Sequence, residues 1–131
     1  MYQVKRISRN EFVPIRNLNY HVRLWGEPAP GVAPLVLVHG WMDVAASYQF
    51  VVDAFSAAFA QGRCIIAPDW RGFGLTRWQA LESPGGAGDA DNYWFPDYLA
   101  DLDLLLDHYA PGQPVDLLGH SLGGNVVMHY A

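Results

Sequence analysis

The stretch of sequence that decides the fold is Leu117-Leu118-Gly119-His120-Ser121-Leu122-Gly123-Gly124. An apolar run leads into the pattern Gly-x-Ser-x-Gly, and a helical stretch begins at Asn125. This order predicts a buried strand, a sharp turn and a helix. Gly119 and Gly123 leave room where a β-carbon would collide with the neighbouring strand and helix, so the serine can adopt strained backbone angles. We expect the turn to expose the Ser121 hydroxyl and to aim the Leu122 N–H at a site where an oxyanion would form.

Other parts of the chain have the patterns of strands. Leu35 to Val38 and Cys64 to Ala67 are apolar runs next to proline or glycine, as in strands buried on both faces, and Val115 to Leu118 is a third such run. Tyr20 to Trp25 alternates clearly and Val4 to Ser8 alternates weakly. These last two segments are predicted to be early strands that pair antiparallel.

Two helices are predicted between the buried strands. Ser47 is expected to cap the first, which ends near Gly62. Its predicted apolar side carries Phe50, Val51, Phe55 and Phe59. The second is expected from about Phe95 or Asp97 to Tyr109. Its predicted apolar side carries Tyr98, Leu102, Leu105, Leu106 and Tyr109, and its water-facing side Asp97, Asp101 and Asp107.

Strands that alternate with helices imply right-handed βαβ crossovers. The predicted fold class is therefore α/β, with a mostly parallel twisted sheet covered by helices on both faces. Residues 1–131 are predicted to belong to a single domain, in which the segment from Ala80 to Asn92 is the most loop-like part.

Composition narrows the range of functions. The 131 residues are 51% hydrophobic, which favours one compact domain over a disordered chain. The net charge is -5 and the 8 bases are scattered, so a nucleic-acid partner is not expected. We expect no signal peptide and no membrane span, because no apolar stretch approaches about 20 residues. The single cysteine, Cys64, favours a reducing compartment, and the predicted location is the cytoplasm.

Two further motifs follow the first two buried strands. They are Val38-His39-Gly40-Trp41 and Pro68-Asp69-Trp70-Arg71-Gly72-Phe73-Gly74. With the serine turn, they make the chain resemble the α/β-hydrolase superfamily, in its serine-nucleophile branch. The second motif is similar to the family's Asp-x-Arg-Gly-x-Gly-x-Ser turn, with Thr76 in place of the final serine.

The resemblance implies a role for several residues. Ser121 would be the nucleophile, and the N–H groups of Leu122 and Trp41 would be opposed oxyanion donors. Gly40 would let the backbone come close to the substrate. The serine excludes the aspartate-nucleophile branches, which resemble dehalogenases and epoxide hydrolases, because those would need an aspartate at position 121.

In this family the triad acid and histidine come well after the serine. Only ten residues follow Ser121, so the resemblance covers the front portion of the family's domain, up to just past the elbow. His120 and His129 are poorly placed to act as a base. We therefore expect the chain alone to be nearly inert.

The Val115–Leu118 strand edge is expected to pair with a second copy or with the missing part as a separate chain.

Each candidate nucleophile, base or pocket residue has a structural alternative. Ser121 could simply cap a helix. His39 is interpreted as a support for the backbone rather than as a base. Trp41, Met42 and Trp70 either line an acyl pocket or belong to the core, and His120 is a further candidate pocket residue.

The other polar residues are expected to be structural. Asp69 and Arg71 are interpreted as a pair that holds their own loop near the elbow. His21 and His108 are predicted to be surface residues. A solvated helix face that binds no metal is predicted from Asp101, Asp103 and Asp107.

The sequence thus favours the front part of a serine hydrolase that acts through an acyl-enzyme on a small ester, thioester, amide or C–C bonded substrate. Water is the expected co-substrate, and no cofactor or metal is expected. The alternative is a non-catalytic binding or assembly module with the same fold. Lyase and cofactor-free perhydrolase chemistry remain open within the fold.

Overall fold

The computed structural model describes residues 1–78 and 92–131. Within these ranges the strands are β1 (Arg9–Ile15), β2 (Leu18–Trp25), β3 (Leu35–Val38), β4 (Ile65–Pro68), β5 (Arg77–Trp78) and β6 (Asp116–Gly119). The α-helices are α1 (Gln49–Ala54), α2 (Ala57–Ala60), α3 (Phe95–Tyr109) and α4 (Leu122–Tyr130), and a 3-10 turn over Ala45–Tyr48 precedes α1. Of the loop-like segment predicted at Ala80 to Asn92, only Asn92 lies within the described residues.

The strands described form one sheet in the order β1-β2-β4-β3-β6, with β5 also paired to β2. β3 is parallel to both β4 and β6, whereas β2 is antiparallel to its neighbours β1, β4 and β5. The α/β architecture is as predicted, but the described sheet is mixed rather than mostly parallel, because β2 pairs antiparallel with all three of its neighbours. Because the three parallel strands end at one edge of the sheet, the loops that follow β3, β4 and β6 meet there.

Two of the three apolar runs, Leu35 to Val38 and Cys64 to Ala67, are buried on both faces, as predicted, whereas in the third Leu117 is half-buried and Leu118 is 41% exposed because β6 is the last strand of the described sheet order. Val36, Val38 and Ile66 pack into a core that includes α3 and α4. Leu35 and Leu37, the alternate residues of β3, pack into a second core with the 3-10 turn and α1. The sheet therefore has helical cover on both faces, and the period-2 alternation of strand side chains feeds both cores.

The first strand was predicted at the wrong place. The hairpin is antiparallel as expected, but its first strand is Arg9–Ile15, not Val4 to Ser8. Residues near the N-terminus instead bind the Asp53 carboxylate, which accepts backbone N–H groups from Lys5 at 3.0 Å and Arg6 at 2.8 Å. The weakly alternating apolar residues of this segment do not form the buried face of a strand, since Ile7 is 88% exposed.

The helix predicted from Ser47 to Gly62 is broken into three short pieces, and its predicted face is wrong. Ser47 does not cap it; Ser56 caps α2 by accepting the Phe59 N–H at 3.1 Å. The buried side carries Ala45, Tyr48 and Val52. Of the predicted apolar residues, only Phe55 packs against the core, half-buried, while Phe50, Val51 and Phe59 are exposed. The chain turns at Phe55, which is extended, so no single helical period applies along the segment.

The second helix has the predicted bounds and apolar side, with Tyr109 half-buried, but Asp101 is wrongly placed on its water-facing side. Asp101 is fully buried and receives two hydrogen bonds from the Arg71 guanidinium, at 2.7 and 2.8 Å. Tyr20 donates its hydroxyl to the same carboxylate at 2.7 Å and accepts the Arg71 N–H at 3.0 Å. Burial, and then the neighbouring Asp101 charge, raises the pKa of Tyr20 well above its usual range. The network joins α3 to β2 and to the loop after β4.

Substitution of Asp101 by Asn is expected to lower the free energy of unfolding by roughly 3 kcal/mol, because it removes the carboxylate charge 2.7 Å from the buried Arg71 guanidinium and leaves only the Asp97 charge, at 3.6 Å. The control is Asp107→Asn on the exposed side of the same helix, which should change stability by about 0.5 kcal/mol or less. Urea denaturation measures both. Equal stability of the two variants would show that the buried pair does not hold α3.

Thr76 closes the loop after β4, although the family's motif has serine at this place. It is buried, donates its hydroxyl to the Asp69 carbonyl at 2.6 Å and accepts the His21 N–H at 3.0 Å. One hydroxyl thus satisfies a buried acceptor and a buried donor on two adjacent chain segments.

Thr76→Val keeps the shape of the side chain but leaves both groups unpaired, so we expect it to lose about 2 kcal/mol of stability or more. Thr76→Ser retains the hydroxyl and should lose only about 1 kcal/mol, for one buried methyl group. Thermal or urea unfolding would compare them. A valine variant as stable as the serine variant would contradict this role of the hydroxyl.

Candidate active site

Ser121 forms the turn between β6 and α4. Its backbone angles are φ 53° and ψ -116°, a region that residues other than glycine rarely occupy. The residue is exposed, and its side chain makes no capping hydrogen bond to α4. The helix-cap alternative is therefore not what the structure shows, and the hydroxyl is free to face outward. Strain of this kind at an exposed polar residue is a common feature of functional sites.

Two glycines permit the bend, as predicted. A β-carbon on Gly119 would lie 2.3 Å from the carbonyl oxygen of Gly123. A β-carbon on Gly123 would lie 2.1 Å from the Val38 oxygen and 2.7 Å from the His39 oxygen. The backbones of β6, α4 and the end of β3 are thus in direct contact, with no space for a side chain between them.

Gly40 brings the loop after β3 against the bend. A β-carbon on Gly40 would be 3.0 Å from the Ser121 β-carbon and 3.1 Å from Nδ1 of His120. The backbone of the Gly40–Trp41 loop therefore passes beside the serine side chain. Leu122, on the other side of the bend, begins α4, and the first N–H groups of a helix have no intrahelical acceptor.

His39 supports the backbone, as the sequence suggested. It is fully buried, and its Nε2 accepts the Trp70 N–H at 2.9 Å while its Nδ1 lies 2.7 Å from the Gly40 carbonyl oxygen. This pairing fixes the neutral tautomer with the proton on Nδ1. Burial lowers the pKa of His39, although the bond to Gly40 opposes this, so the ring stays neutral near pH 7.

Trp70 is a core residue rather than a pocket residue. Its ring is fully buried, packs edge-on against Tyr98 with the ring centroids 5.4 Å apart, and donates Nε1–H to the His39 carbonyl at 2.9 Å.

Trp41 is 59% exposed with its ring against Phe73. Met42 is 80% exposed and has a φ of 57°, a second strained position in the loop beside Ser121. Sequence gave no signal for that strain.

Asp69 and Arg71 are structural, but they do not form the predicted pair. Arg71 binds Asp101, whereas Asp69 binds His21, whose Nδ1 lies 2.7 Å from Asp69 Oδ2. His21 is thus buried and not a surface residue as predicted. The register of β2 on β4 brings His21 and Asp69 together. This non-local pairing could have been found only by aligning the two strands. His108 is exposed, as predicted.

A shallow groove of about 300 Å³, which the sequence pattern did not indicate, lies beside the start of α4. It is lined by Phe95, Leu122, Asn125 and His129. Its position places apolar surface from α3 next to the bend. Among the described residues, no group of three or more His, Cys, Asp or Glu side chains is arranged to hold a metal ion.

No histidine in the described ranges is hydrogen-bonded to the Ser121 hydroxyl. His21 and His39 are buried and bound to other groups. His129 lies two turns along α4, with its Nδ1 2.8 Å from the Asn125 carbonyl oxygen. His120 is exposed beside Gly40.

A strained, exposed side chain between a parallel strand and a helix, with glycine on both sides, defines a known class of α/β protein. The chain belongs to the α/β-hydrolase family: the sequence profile described as "alpha/beta hydrolase fold" matches residues 33–131. A search of curated proteins gives no match.

Solved structures with the same fold include two epoxide hydrolases and a candidate lipase. A mutant of potato epoxide hydrolase matches with a TM-score of 0.73 and 23% identity, over 95% of this chain and 35% of that chain. The candidate lipase, from Acinetobacter baumannii, matches with a TM-score of 0.75 and 18% identity, over 95% of this chain and 36% of that chain. The Cif epoxide hydrolase of Acinetobacter nosocomialis matches with a TM-score of 0.71 and 18% identity, over 95% of this chain and 33% of that chain. At these identities the likeness shows the fold alone, and the chain spans about a third of the length of these proteins.

No helix in the described parts of the chain is long and apolar enough to cross a bilayer.

Gly123→Ala tests the close approach at the bend. We expect a loss of at least about 2 kcal/mol in the free energy of unfolding, because the added methyl group would overlap two backbone carbonyls. Gly124→Ala is the matched control: its β-carbon would be 3.3 Å from the nearest atom, and alanine favours the helix by about 1 kcal/mol, so stability should change little. If both variants unfold at the same urea concentration, the packing described for Gly123 is wrong.

Proposed function

We propose that Ser121 is the nucleophile of a serine hydrolase that cleaves a small ester, thioester, amide or C–C bonded substrate. The observation that carries the proposal is the backbone of Ser121, held at φ 53° with its side chain exposed at the carboxyl edge of the sheet. A serine that only ended a strand or capped a helix would not need this conformation.

The proposed chemistry is acyl transfer in two steps. The Ser121 Oγ bonds to the substrate carbonyl carbon, its proton passes to a base, and the carbonyl π electrons move onto oxygen. The protonated base then gives its proton to the leaving group, which departs as the tetrahedral intermediate collapses to an acyl-enzyme. Water next attacks the acyl carbon as the same base takes its proton, and the base returns this proton to Ser121 Oγ as the acid and the free serine are released.

The proposed oxyanion hole consists of the Leu122 and Trp41 N–H groups. The contact between Gly40 and the bend supports this, because it brings the backbone of the Gly40–Trp41 loop beside the serine. Loss of one such donor typically costs roughly 3 kcal/mol of transition-state stabilisation. Met42 and His120 are both exposed on this side and are proposed to contact the substrate.

The base and acid are proposed to be a histidine and a carboxylate outside residues 1–131. The bonding of His21 and His39 supports this, since both are buried and occupied. The family's order, with the acid and then the histidine after the serine, also supports it.

Acyl transfer is favoured over epoxide opening. Some structural relatives are epoxide hydrolases, but the branches that resemble them need an aspartate where Ser121 stands. Only water is proposed as co-substrate. Lyase and perhydrolase reactions use the same fold and remain variants of this proposal.

Two features of the whole protein belong to the same proposal. β6 is the last strand of the described sheet order, and Leu118 on it is 41% exposed. We propose that a second copy or the rest of the protein pairs with this edge, because open apolar edges recruit strands.

The single cysteine, which is buried, supports a location in the cytoplasm.

A binding or assembly module without turnover is the second candidate. It is favoured by one observation, that no described histidine is bonded to the Ser121 hydroxyl. Labelling with a fluorophosphonate separates the two candidates, because the reagent forms an Oγ–P bond and releases fluoride only where the serine is activated.

In the full-length protein, one fluorophosphonate is expected to attach at Ser121, as located by mass spectrometry of the digested protein. Ser121→Ala should abolish labelling. Ser56→Ala removes an exposed serine on the same chain that only caps α2, and should label as fast as the wild type.

Residues 1–131 alone are expected to label far more slowly, since a serine without a base is a poor nucleophile. Absence of labelling in the full-length protein would favour the binding module. Labelling that survives Ser121→Ala would place the nucleophile elsewhere.

A further inference from the structure

We propose that Asp69 is a positioning residue that fixes the loop from Gly40 to Ala45, and with it the oxyanion donor Trp41, beside Ser121. This inference rests on the proposed function. The side chain of Asp69 is buried beneath the loop after β4 and binds three separate segments of the chain.

The contacts of Asp69 tie the two loops together. Its Oδ1 accepts the Ala45 N–H at 2.7 Å, at the far end of the loop after β3. Its Oδ2 accepts the Leu75 N–H at 2.8 Å and lies 2.7 Å from Nδ1 of His21. The carboxylate thus connects the start of the 3-10 turn, the loop after β4 and strand β2.

The near end of the same loop is held by His39. Its Nδ1–H donates to the Gly40 carbonyl, and its Nε2 accepts from Trp70, the residue that follows Asp69. The Gly40–Trp41 peptide is trans, so its N–H points away from its carbonyl. Because the carbonyl is turned toward the imidazole, the Trp41 N–H is turned away from it.

Between these two ends the loop is strained. Met42 has a φ of 57°, which a residue with a side chain adopts only when its surroundings hold it there. The loop can relax if either end is released. At the Ala45 end the backbone N–H is held by one carboxylate oxygen, so Asp69 is the group whose loss would release the backbone there while leaving Ser121 itself intact.

The three partners of Asp69 also explain why the residue is a carboxylate. Ala45 and Leu75 present backbone N–H groups, and His21 presents a ring nitrogen that donates to the carboxylate. Only a group with acceptors at both oxygens satisfies all three. An asparagine would turn its NH₂ group toward at least one donor.

Asp69→Asn therefore tests the inference, and Asp53→Asn is the matched control. Asp53 is also a buried carboxylate that accepts two backbone N–H groups, but these belong to Lys5 and Arg6 near the N-terminus. Both variants lose one buried charge and disturb backbone hydrogen bonds. Only Asp69→Asn disturbs the loop that carries Trp41.

The experiment measures, in the full-length protein, the fluorophosphonate labelling rate at Ser121 and the exchange of individual backbone amide protons. We expect Asp69→Asn to label at least about tenfold more slowly, because small misplacements at a reacting centre have effects of up to about a hundredfold. Its amides at residues 41–45 should exchange faster. Asp53→Asn should label at the wild-type rate, with faster exchange at Lys5 and Arg6 only.

The possible outcomes separate this inference from the proposed function. If the wild type is not labelled at Ser121, the proposed function is wrong and the inference falls with it. If the wild type is labelled and Asp69→Asn labels equally fast, Asp69 does not position the donor, although Ser121 remains the nucleophile. If Asp69→Asn does not fold, wild-type exchange decides: an Ala45 amide that exchanges only through global unfolding supports the inference, and one that exchanges rapidly in the native state overturns it.

Discussion

The close approach of three backbone segments at the end of the sheet is the constraint on which the rest of the structure depends. α4 leaves β6 across the end of β3, so near that a β-carbon on Gly123 would lie 2.1 Å from the Val38 oxygen. The chain must therefore reverse direction at one residue, and Ser121 takes the strained angles that this reversal requires. Such strain costs about 1–3 kcal/mol and persists only because parallel pairing of β3 with β6 and the burial of Val126 over-determine the geometry.

Buried polar groups hold the loops around this point, and each of them joins segments that are distant in sequence. Arg71 and Asp101 join the loop after β4 to α3, and Asp69 joins the same loop to β2 and to the turn before α1. Buried charges of this kind are costly unless every donor and acceptor is paired. Fully paired, they fix the loops in one arrangement, which is what a site built from three loops needs.

The sequence predicted the features that depend on local pattern. The strands at Leu35–Val38 and Asp116–Gly119 follow from continuous apolar runs, the helix Phe95–Tyr109 follows from its apolar periodicity, and the bend follows from its glycines. The errors arise where distant parts of the chain meet. Asp101 and His21 looked like surface residues because their partners, Arg71 and Asp69, come from other elements.

The most direct test of the central claim is a crystal structure of the full-length protein after reaction with a fluorophosphonate. The account predicts a bond between phosphorus and Ser121 Oγ, with the phosphoryl oxygen about 2.7–3.1 Å from the backbone nitrogens of Trp41 and Leu122. Phosphorus bound to another residue, or a phosphoryl oxygen directed away from both amides, would contradict it.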